Sequence, residues 1–539
     1  MELKKDTLTG RAKELIARGY ELPCFNRDII KENTDRAPEW IHFGAGNIFR
    51  AFIACLSQEL LNGGFMKTGI IVAEGYDEEI LDIAYRPYDD LAIAATLCAG
   101  GDIRKTLVGS VVKSLSMTRG TDDWAELEKA FIAPSLKMVS LTITEKGYNI
   151  TDSKGEPFPA VKEDMVSGPD RATSYIGRIA ALCYKRYLAG KLPLALVSMD
   201  NCSHNGSRLE KAMVAFAEGW EKNGLTDKGF TDYINDRGVI SFPWSMIDKI
   251  TPRPDDSVRE MLEKDGFAGM EPKVTAKRSF VAPFVNAEEV QYLVIEDAFP
   301  NGRLPLDKAG VIFTARETVD LVETMKVATC LNPLHTALAV LGCLLGYTRI
   351  SAEMKDEDLK KIVEIIGYRE GLPVVADPGV IDPRTFIDEV INIRFPNPFL
   401  QDTPQRIATD TSQKICVRFG KTIQKYAASK ELDIRDLRCI AFVIAAWCRY
   451  LTAVDDNGAA FAPSDDPLMA ELAPRFTSLR LGEEIDIHGV LQPVLSDARI
   501  MSIDLYAAGL GETVEGYFAA LMRAPGAVRE ELHKLVTER

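Results

Sequence analysis

Lys326, Asn332 and His335 lie close together in the sequence and carry the groups that oxidation of an alcohol requires. Removing hydride from a secondary alcohol needs a base for the hydroxyl proton and donors for the developing alkoxide. A lysine held away from water can be that base, the asparagine amide can donate, and the histidine can orient a substrate. The ordinary alternatives are a solvated lysine, an asparagine that caps a helix ahead of Pro333, and a partly buried histidine.

The glycines Gly44 and Gly46 have the spacing of a turn that binds a dinucleotide. Gly44 permits a tight turn from strand to helix, and Gly46 lets the backbone approach a pyrophosphate at the helix N-terminus. Phe49 replaces the usual third glycine, so a glycine turn without a ligand fits as well. Glu74, at the end of the next apolar run, is placed to hold the ribose hydroxyls of NAD and to repel the extra phosphate of NADP, with Asp77 as a rival.

Three further polar residues, Lys146, Asp200 and Asn201, follow the apolar runs 138–144 and 194–199. They are candidates for the same site if those runs are neighbouring strands of one sheet. The alternative for Asp200 and Asn201 is a simple turn, which the following Asn205-Gly206 favours.

Asp248 and Lys249 interrupt an otherwise apolar stretch, residues 242–252. A charged pair in such a setting predicts a paired, partly buried Asp–Lys, because an unpaired buried charge is costly. The pair is either part of a substrate site or a structural ion pair.

The elements that must hold these residues begin with a βαβ unit. Periodicity predicts a strand at Trp40–Phe43, a helix at Ala51–Leu61 and a strand at Gly69–Ala73, which implies parallel strands. Met138–Thr144 and Leu194–Met199 have the composition of further buried strands. Ligands of a doubly wound sheet bind beyond the carboxyl ends of its strands, where the candidate residues fall.

Helical periodicity dominates after about residue 310, with four predicted helices: Glu317–Thr329, Pro333–Tyr347, Ala352–Gly367 and Leu437–Thr452. Residues 455–475 have the composition of a loop. The sequence therefore predicts an α/β fold with three parts. These are an N-terminal arm (1–37), a Rossmann-type doubly wound dinucleotide-binding domain (38–310) and a mostly α-helical substrate and catalytic domain (311–539).

Composition excludes several classes of protein and partner. The net charge of -15 disfavours nucleic acid as a partner, and an acidic substrate would need a local cation. The ten cysteines, mostly in apolar runs without a C-x-x-C pair, are typical of reduced thiols in a cytoplasmic protein. The N-terminus lacks the apolar segment of a signal peptide, and no apolar run is long enough to span a membrane. No metal site is predicted, because the five histidines are scattered and none lies at zinc-ligand spacing.

Together these segments resemble the long-chain polyol dehydrogenases, the mannitol dehydrogenase and mannonate oxidoreductase family, from about residue 38 to about residue 500. The motifs that carry the resemblance are Gly44-Ala45-Gly46 with Arg50, Leu141–Tyr148, Asp200-Asn201 with Asn205-Gly206, Met246–Pro252, Val294–Asp297 with Phe299 and Gly302-Arg303, Lys326 with Leu331-Asn332 and His335, and Arg394-Phe395 with Asn397-Pro398.

The resemblance implies a Rossmann-type domain, a helical domain and catalysis without a metal. It assigns the general base to Lys326, the alkoxide donors to Asn201 and Asn332, and the orientation of the substrate to His335. The substrate site would include Asp248, and the NAD site would include Gly44, Gly46, Asn47, Ile48, Arg50 and Glu74.

One spacing departs from the family pattern. Five residues, Val327 to Leu331, separate Lys326 from Asn332, where the family usually has four. A π-bulge could absorb the extra residue, or the helix could end and restart at Pro333.

The resemblance implies NAD-dependent, reversible reduction of fructuronate to mannonate. The alternatives are a mannitol 2-dehydrogenase, a tagaturonate reductase and, more remotely, a non-catalytic NAD-binding sensor. A uronate carries a carboxylate, for which Lys146, Lys249 and Arg394 are the candidate cations.

Overall fold

The computed structural model describes residues 1–538, and of Leu8 it describes the backbone only. Arg539, the last residue of the predicted helical domain, lies outside the described residues. The chain divides into two compact units: unit 1 (Met1–Cys98 and Asp102–Asp320) and unit 2 (Ala99–Gly101 and Leu321–Arg539).

The strands all belong to unit 1. They are β1 Tyr20–Glu21, β2 Trp40–Phe43, β3 Ile70–Glu74, β4 Ala92–Leu97, β5 Ile103–Val108, β6 Val111–Ser116, β7 Met138–Leu141, β8 Leu194–Ser198, β9 Ile240–Ser241, β10 Ser245–Asp248, β11 Lys273–Val274, β12 Phe280–Val281, β13 Phe284–Glu288, β14 Tyr292–Glu296 and β15 Ile312–Thr314.

The helices of unit 1 are α1 Lys5–Gly10, α2 Ala12–Ala17, α3 Arg27–Arg36, α4 Ala54–Asn62, α5 Glu79–Ala84, α6 Asp122–Phe131, α7 Pro159–Ser167, α8 Tyr175–Leu188, α9 Asn205–Lys222, α10 Lys228–Asn235 and α11 Asp256–Lys264. Helix α12, Arg316–Met325, begins in unit 1 and ends in unit 2.

The main sheet of unit 1 has six parallel strands in the order β6-β3-β2-β7-β8-β9. Numbered along the chain, this is the 3-2-1-4-5-6 order of a Rossmann-type sheet, whose switch point lies between β2 and β7. The predicted doubly wound fold is therefore confirmed.

The strands of this sheet are mostly apolar because both faces are covered. Trp40 and Val72 belong to one hydrophobic cluster, whereas Ile41 and Ile71 belong to the other. Successive side chains of a strand point to opposite faces, so each strand supplies both cores.

The predicted strands agree with the structure to within a residue, except the third. Strand β7 ends at Leu141, because the N–H groups of Ile143 and Thr144 bond to the Asp200 carboxylate instead of to a neighbouring strand. The segment predicted as an arm, residues 1–37, forms α1–α3 and β1, and β1 pairs with β5 in a second sheet, β1-β5-β4-β13.

Unit 2 is helical. Its remaining helices are α13 Asn332–Leu344, α14 Ile350–Glu353, α15 Glu357–Ile365, α16 Pro383–Glu389, α17 Pro404–Ile407, α18 Thr411–Ile415, α19 Lys421–Ala428, α20 Arg438–Tyr450, α21 Met469–Phe476, α22 Ile487–Leu495, α23 Ala498–Met501, α24 Gly511–Leu521 and α25 Ala527–Thr537. The segment predicted as a loop, 455–475, thus contains most of α21.

The two most buried helices of unit 2 are α13 and α20. Because a buried helix start leaves N–H groups that need acceptors, α20 requires a partner from elsewhere. Glu370 provides it, accepting from the N–H groups of Cys439 and Ile440 at 2.7 and 2.9 Å. Burial raises the pKa of Glu370 to about 7.

Within residues 1–538, five π-helical segments widen the helices: Phe49–Ile53, Lys326–Cys330, Ile366–Gly371, Val390–Arg394 and Cys416–Gly420. Such segments are rare and often mark functional sites. The four in unit 2 contain Lys326, Glu370, Arg394 and Arg418.

One helical run in the described part of the chain, Arg316–Leu344, is long and apolar enough to cross a membrane. Of its most apolar stretch, 83% is buried inside the protein, as in a core helix.

Candidate functional site

The glycine turn follows β2 at the switch point of the sheet. Gly44 has a φ of +106°, and a Cβ there would lie 2.2 Å from the carbonyl oxygen of Thr142, so no other residue fits. At Gly46, where the helix starts, no atom lies within 4 Å of the point that a Cβ would occupy. Half-buried Asn47 and Ile48 follow. The open space at a helix N-terminus fits the pyrophosphate of a dinucleotide.

Arg50 lies behind this turn. Its side chain is 1% exposed and donates to the carbonyl of Ala282 and to Oδ1 of Asn47, at 2.6 and 2.8 Å. The second bond holds Asn47 beside the glycine turn. A contact of Arg50 with the cofactor stays a prediction.

Glu74 connects the end of β3 to the glycine turn. Its Oε2 accepts from the N–H of Ala45 at 2.8 Å, and its Oε1 accepts from the N–H groups of Gly75, Tyr76 and Asp77. Oε2 keeps a lone pair that could accept from a ribose hydroxyl.

Asp77, the other acid considered for the ribose hydroxyls, is buried and points toward Thr275 rather than toward the glycine turn. Its Oδ2 accepts from the hydroxyl of Thr275 at 2.6 Å, and its buried Oδ1 has no hydrogen-bond partner in the described part of the chain. Glu74 is the acid that contacts the glycine turn.

Asp200 organises the ends of β7 and β8. Besides the two N–H groups of the β7 end, it accepts from the Tyr148 hydroxyl at 2.5 Å, and burial raises its pKa. These bonds hold Thr144 at a φ of 66°, a region that a β-branched residue rarely adopts. Next to Asp200, Asn201 is exposed in the loop that follows β8.

Asn205 and Gly206 begin helix α9, so the predicted turn is wrong for these two residues. The Asn205 amide is fully buried and bonds to Ser245 and to the carbonyl of Asp200. A Cβ at Gly206 would lie 2.6 Å from the carbonyl oxygen of Phe242. The pair is required for close packing of the helix start.

The remaining unit-1 candidates differ in their surroundings. Asp248 is 5% exposed at the end of β10. Lys249 donates to the carbonyl of Glu288 and to Gln291 Oε1, which indicates a structural use of its ammonium. Lys146 is exposed in a short 3₁₀ turn, Glu145–Tyr148.

Lys326 opens a π-helical segment and is 4% exposed, so the solvated alternative is wrong. The N–H of Leu331 donates to the Lys326 carbonyl at 3.1 Å, an i to i+5 bond that contains the extra residue before Asn332. Leu331 then leaves helical geometry, with φ −125° and ψ −62°, and α13 begins. The structure combines both expected solutions, the π-bulge and the helix break.

Asn332 and His335 lie on the first turn of α13. Leu331, not Asn332, is the N-cap, and the half-buried Asn332 amide makes no hydrogen bond within the described residues. His335 Nε2 is buried without a hydrogen-bond partner and lies 3.7 Å from an Asp402 oxygen. Burial lowers the pKa of His335 to about 4, so the ring is neutral at pH 7. Two unused polar groups on one helical turn suit a polar ligand.

Cations surround His335 within unit 2. The charges of Arg418, Arg406 and Arg394 also lower the pKa of its ring, whereas Asp402 raises it. Arg394 is 3% exposed, and the next residue, Phe395, has its ring centroid 5.0 Å from that of His335. Asp402 and Arg418 were not among the sequence candidates, because they lie 67 and 83 positions after His335 with no distinctive spacing.

In residues 1–538, no group of three histidine, cysteine or acidic side chains is arranged to hold a metal ion.

Comparisons with known proteins agree along the whole chain. Residues 38–308 match the family model described as the mannitol dehydrogenase Rossmann domain, and residues 318–508 match the mannitol dehydrogenase C-terminal domain. A D-mannonate oxidoreductase of Thermotoga maritima is 50% identical over 99% of each chain. A polyol:NADP oxidoreductase of Gluconobacter oxydans is 29% identical over 85% of this chain and 88% of its own.

Two solved structures align over 100% of both chains. A D-sorbitol dehydrogenase in substrate-free form has a TM-score of 0.80 at 24% identity, which bears on the fold alone. The Pseudomonas fluorescens mannitol 2-dehydrogenase, in a ternary complex with NAD and D-mannitol, has a TM-score of 0.68 at 27% identity.

Proposed function

The chain belongs to the mannitol dehydrogenase family and is an oxidoreductase acting on a CH–OH group, and from that premise we propose that it interconverts fructuronate and D-mannonate with NAD. The observation that carries the substrate is the full-length identity of 50% to a D-mannonate oxidoreductase. The concentration of guanidinium groups around His335 supports it, because a uronate brings a negative charge that must be matched locally.

We propose that Gly44, Gly46, Asn47 and Ile48 bind the pyrophosphate side of NAD and that Glu74 accepts from a ribose hydroxyl. Support comes from the open space over Gly46 and from the bond between Glu74 and the turn. Bound NAD supplies the hydride acceptor, and NADH supplies the donor in the reverse direction.

The proposed acid–base group is Lys326. During oxidation its amine takes the proton of the substrate hydroxyl, and during reduction its ammonium returns that proton to the alkoxide oxygen. The amide of Asn332 donates to the developing alkoxide, and Asn201 is proposed as a second donor because of its place in the family motif. Neutral His335 offers Nε2 to a substrate hydroxyl. No metal takes part in this scheme.

Asp248 and Arg394 remain proposed substrate contacts. Both are buried acid or base groups in stretches that match the family. Lys249 and Lys146 are weaker candidates, because the first bonds to Glu288 and Gln291 and the second is exposed. We further propose that the enzyme acts in the cytoplasm, in line with its ten thiols.

A substrate panel tests the proposal. NADH oxidation, followed by absorbance, is measured with fructuronate, tagaturonate and fructose at equal concentrations. Fructuronate is expected to exceed fructose by about tenfold to a hundredfold in kcat/KM, since a charge-assisted hydrogen bond is lost with the neutral ketose. Faster reaction with fructose would make the chain a mannitol 2-dehydrogenase, and NADH binding without turnover of any substrate would make it a sensor.

A further inference from the structure

Arg418 lies in the π-helical segment Cys416–Gly420, which is held in place by contacts with Met501 and Ser502. The hydroxyl of Ser502 donates to the carbonyl of Cys416 at 2.7 Å. A Cβ at Gly420 would lie 2.7 Å from the carbonyl oxygen of Met501, so the segment packs tightly against the end of α23. The backbone that carries the guanidinium is therefore held in place.

The guanidinium of Arg418 reaches α13 beside His335. Its Nη1 donates to the hydroxyl of Thr336, a residue that is 2% exposed and directly follows His335. This is one of five N–H groups that a guanidinium offers. The positive charge of Arg418 also helps to lower the pKa of the His335 ring.

No carboxylate of the described chain lies within 4.0 Å of the Arg418 guanidinium. Burial lowers its pKa to about 10, with no opposite charge to offset the effect. Its neighbours differ in this respect, since Arg406 pairs with Asp402. A partly desolvated cation without an anion is costly, so the site is completed by an anion from outside.

We propose that Arg418 binds the terminal carboxylate of the substrate and is the residue that selects sugar acids over neutral sugars. The inference rests on the proposed function and adds to it the residue that binds the negatively charged carboxylate of the substrate. A planar guanidinium with free N–H groups can hold a carboxylate through two parallel hydrogen bonds. Arg394, the cation expected from the sequence, would then contact another part of the substrate.

The test is a comparison of Arg418→Met and Arg418→Lys with the wild-type enzyme, using fructuronate and fructose as paired substrates. For Arg418→Met, kcat/KM for fructuronate should fall about tenfold to a hundredfold, mainly through KM, while that for fructose changes less than about threefold. Arg418→Lys should restore part of the fructuronate activity, because it keeps the charge but loses the bidentate geometry.

Lys421→Met is the matched control. This lysine is exposed on α19, three residues further along, and its removal makes the same change in charge. It should leave the preference for fructuronate unchanged. If it alters the preference as much as Arg418→Met, the general field of the protein rather than Arg418 selects the substrate, and the proposal is overturned.

Two outcomes separate this inference from the proposed function. If the wild-type enzyme prefers fructuronate and Arg418→Met retains that preference, or loses both substrates equally while melting at the wild-type temperature, Arg418 does not read the carboxylate. If the wild-type enzyme prefers fructose, the proposed function fails as well. If Arg418→Met does not fold, Arg418→Lys decides: an unchanged KM for fructuronate overturns the inference.

Discussion

Lys326 combines near-complete burial with a position on a widened helical turn, and the next helix begins with the polar residues Asn332 and His335. General acid–base groups contribute about a hundredfold to ten-thousandfold to a rate. Lys326→Ala should therefore lower kcat at least about a hundredfold. The affinity for NADH should stay nearly unchanged, as measured by quenching of protein fluorescence.

Exposed Lys421→Ala serves as the control for loss of a lysine. A decrease of only a few-fold in Lys326→Ala would place the proton transfer on another residue. A parallel loss of NADH binding would show that Lys326 supports the structure rather than the chemistry.

His42, within β2, is a titratable residue that the proposed reaction does not use. It is fully buried, with Nδ1 2.7 Å from the Ser140 hydroxyl and Nε2 2.9 Å from the Thr142 hydroxyl. Burial lowers its pKa from 6.5 to about 3. Between these two pKa values the unfolded chain binds a proton at His42 and the folded chain does not. The free energy of unfolding therefore decreases as pH falls from 6.5 toward 3.

His42→Gln removes this titration. The decrease in melting temperature between pH 7 and pH 4.5 should be smaller in the variant than in the wild type, even if the variant is less stable at pH 7. Differential scanning calorimetry at both pH values measures it. Equal decreases in the two proteins would mean that the ring is protonated in the folded state.

At the scale of elements, the contact between α13 and α14 contains the buried acid Glu353. Neither of its carboxylate oxygens has a hydrogen-bond partner among the described residues, and its side chain lies against Gly342, where a Cβ would be 2.3 Å from Oε1. Burial raises the pKa of Glu353 to about 9. The folded protein keeps a proton that the unfolded chain loses above 4.5, so this group costs increasing stability as pH rises from 4.5 to about 9.

Glu353→Gln keeps the shape and removes the titration. Its melting temperature relative to wild type should be higher at pH 8 than at pH 5, because only the wild type must hold a proton at the higher pH. Asp358→Asn, an acid on the neighbouring helix α15, is the comparison. A difference that does not vary with pH would contradict the assigned ionisation.

Elements with strong periodicity could be predicted from the sequence, and most of their irregularities could not. The strands β2, β3 and β8 and the helix α20 agree with their predicted bounds to within two residues, because apolar spacing reports burial. Helix α13 begins one residue before its predicted start and ends three residues before its predicted end. The π-helical segment at Lys326 is expected from the sequence as one way to absorb the extra residue before Asn332, whereas the other π-helical segments leave no mark on the apolar spacing. The predicted helix Ala352–Gly367 is divided, because Asp356 caps a new helix with its own side chain.

The candidate site could be predicted in part for the same reason. Lys326, Asn332 and His335 are close in sequence, and their grouping follows from local spacing. Arg418 approaches the same turn from a distant helix, and only tertiary packing places it there. Arg50 also belongs to a sequence motif, but its burial and its bonds to Ala282 and Asn47 could not be predicted, since a motif position does not tell which way a side chain points.

At the scale of the whole molecule, the charge of -15 and the acid at the end of β3 both disfavour a cofactor with an extra phosphate. Placing like charges together costs several kcal/mol. We therefore expect NAD to exceed NADP about a hundredfold in kcat/KM. Steady-state kinetics with both cofactors measures this, and equal efficiency would contradict it.

The substitution Glu74→Gln tests whether this acid is the source of the preference for NAD over NADP. The amide keeps an acceptor toward Ala45 and loses the charge, so the preference for NAD should weaken while NAD still binds. Asp77→Asn is the matched control. A larger loss of preference in Asp77→Asn would assign the discrimination to that residue.

The π-helical segment at Lys326 also bears on how the chain tolerates insertions and deletions. Each residue of an α-helix turns the chain by about 100°, so one residue added inside α13 would rotate every later side chain away from its contacts. In the segment Lys326–Cys330 the added residue is enclosed in one wide turn. We therefore expect Asn332 and His335 to keep their direction when that residue is present or absent. A one-residue deletion between Lys326 and Asn332 would convert that wide turn into an ordinary one. Length can therefore vary by one residue here, beside the proposed proton-transfer group, where a change of length would otherwise be least tolerated.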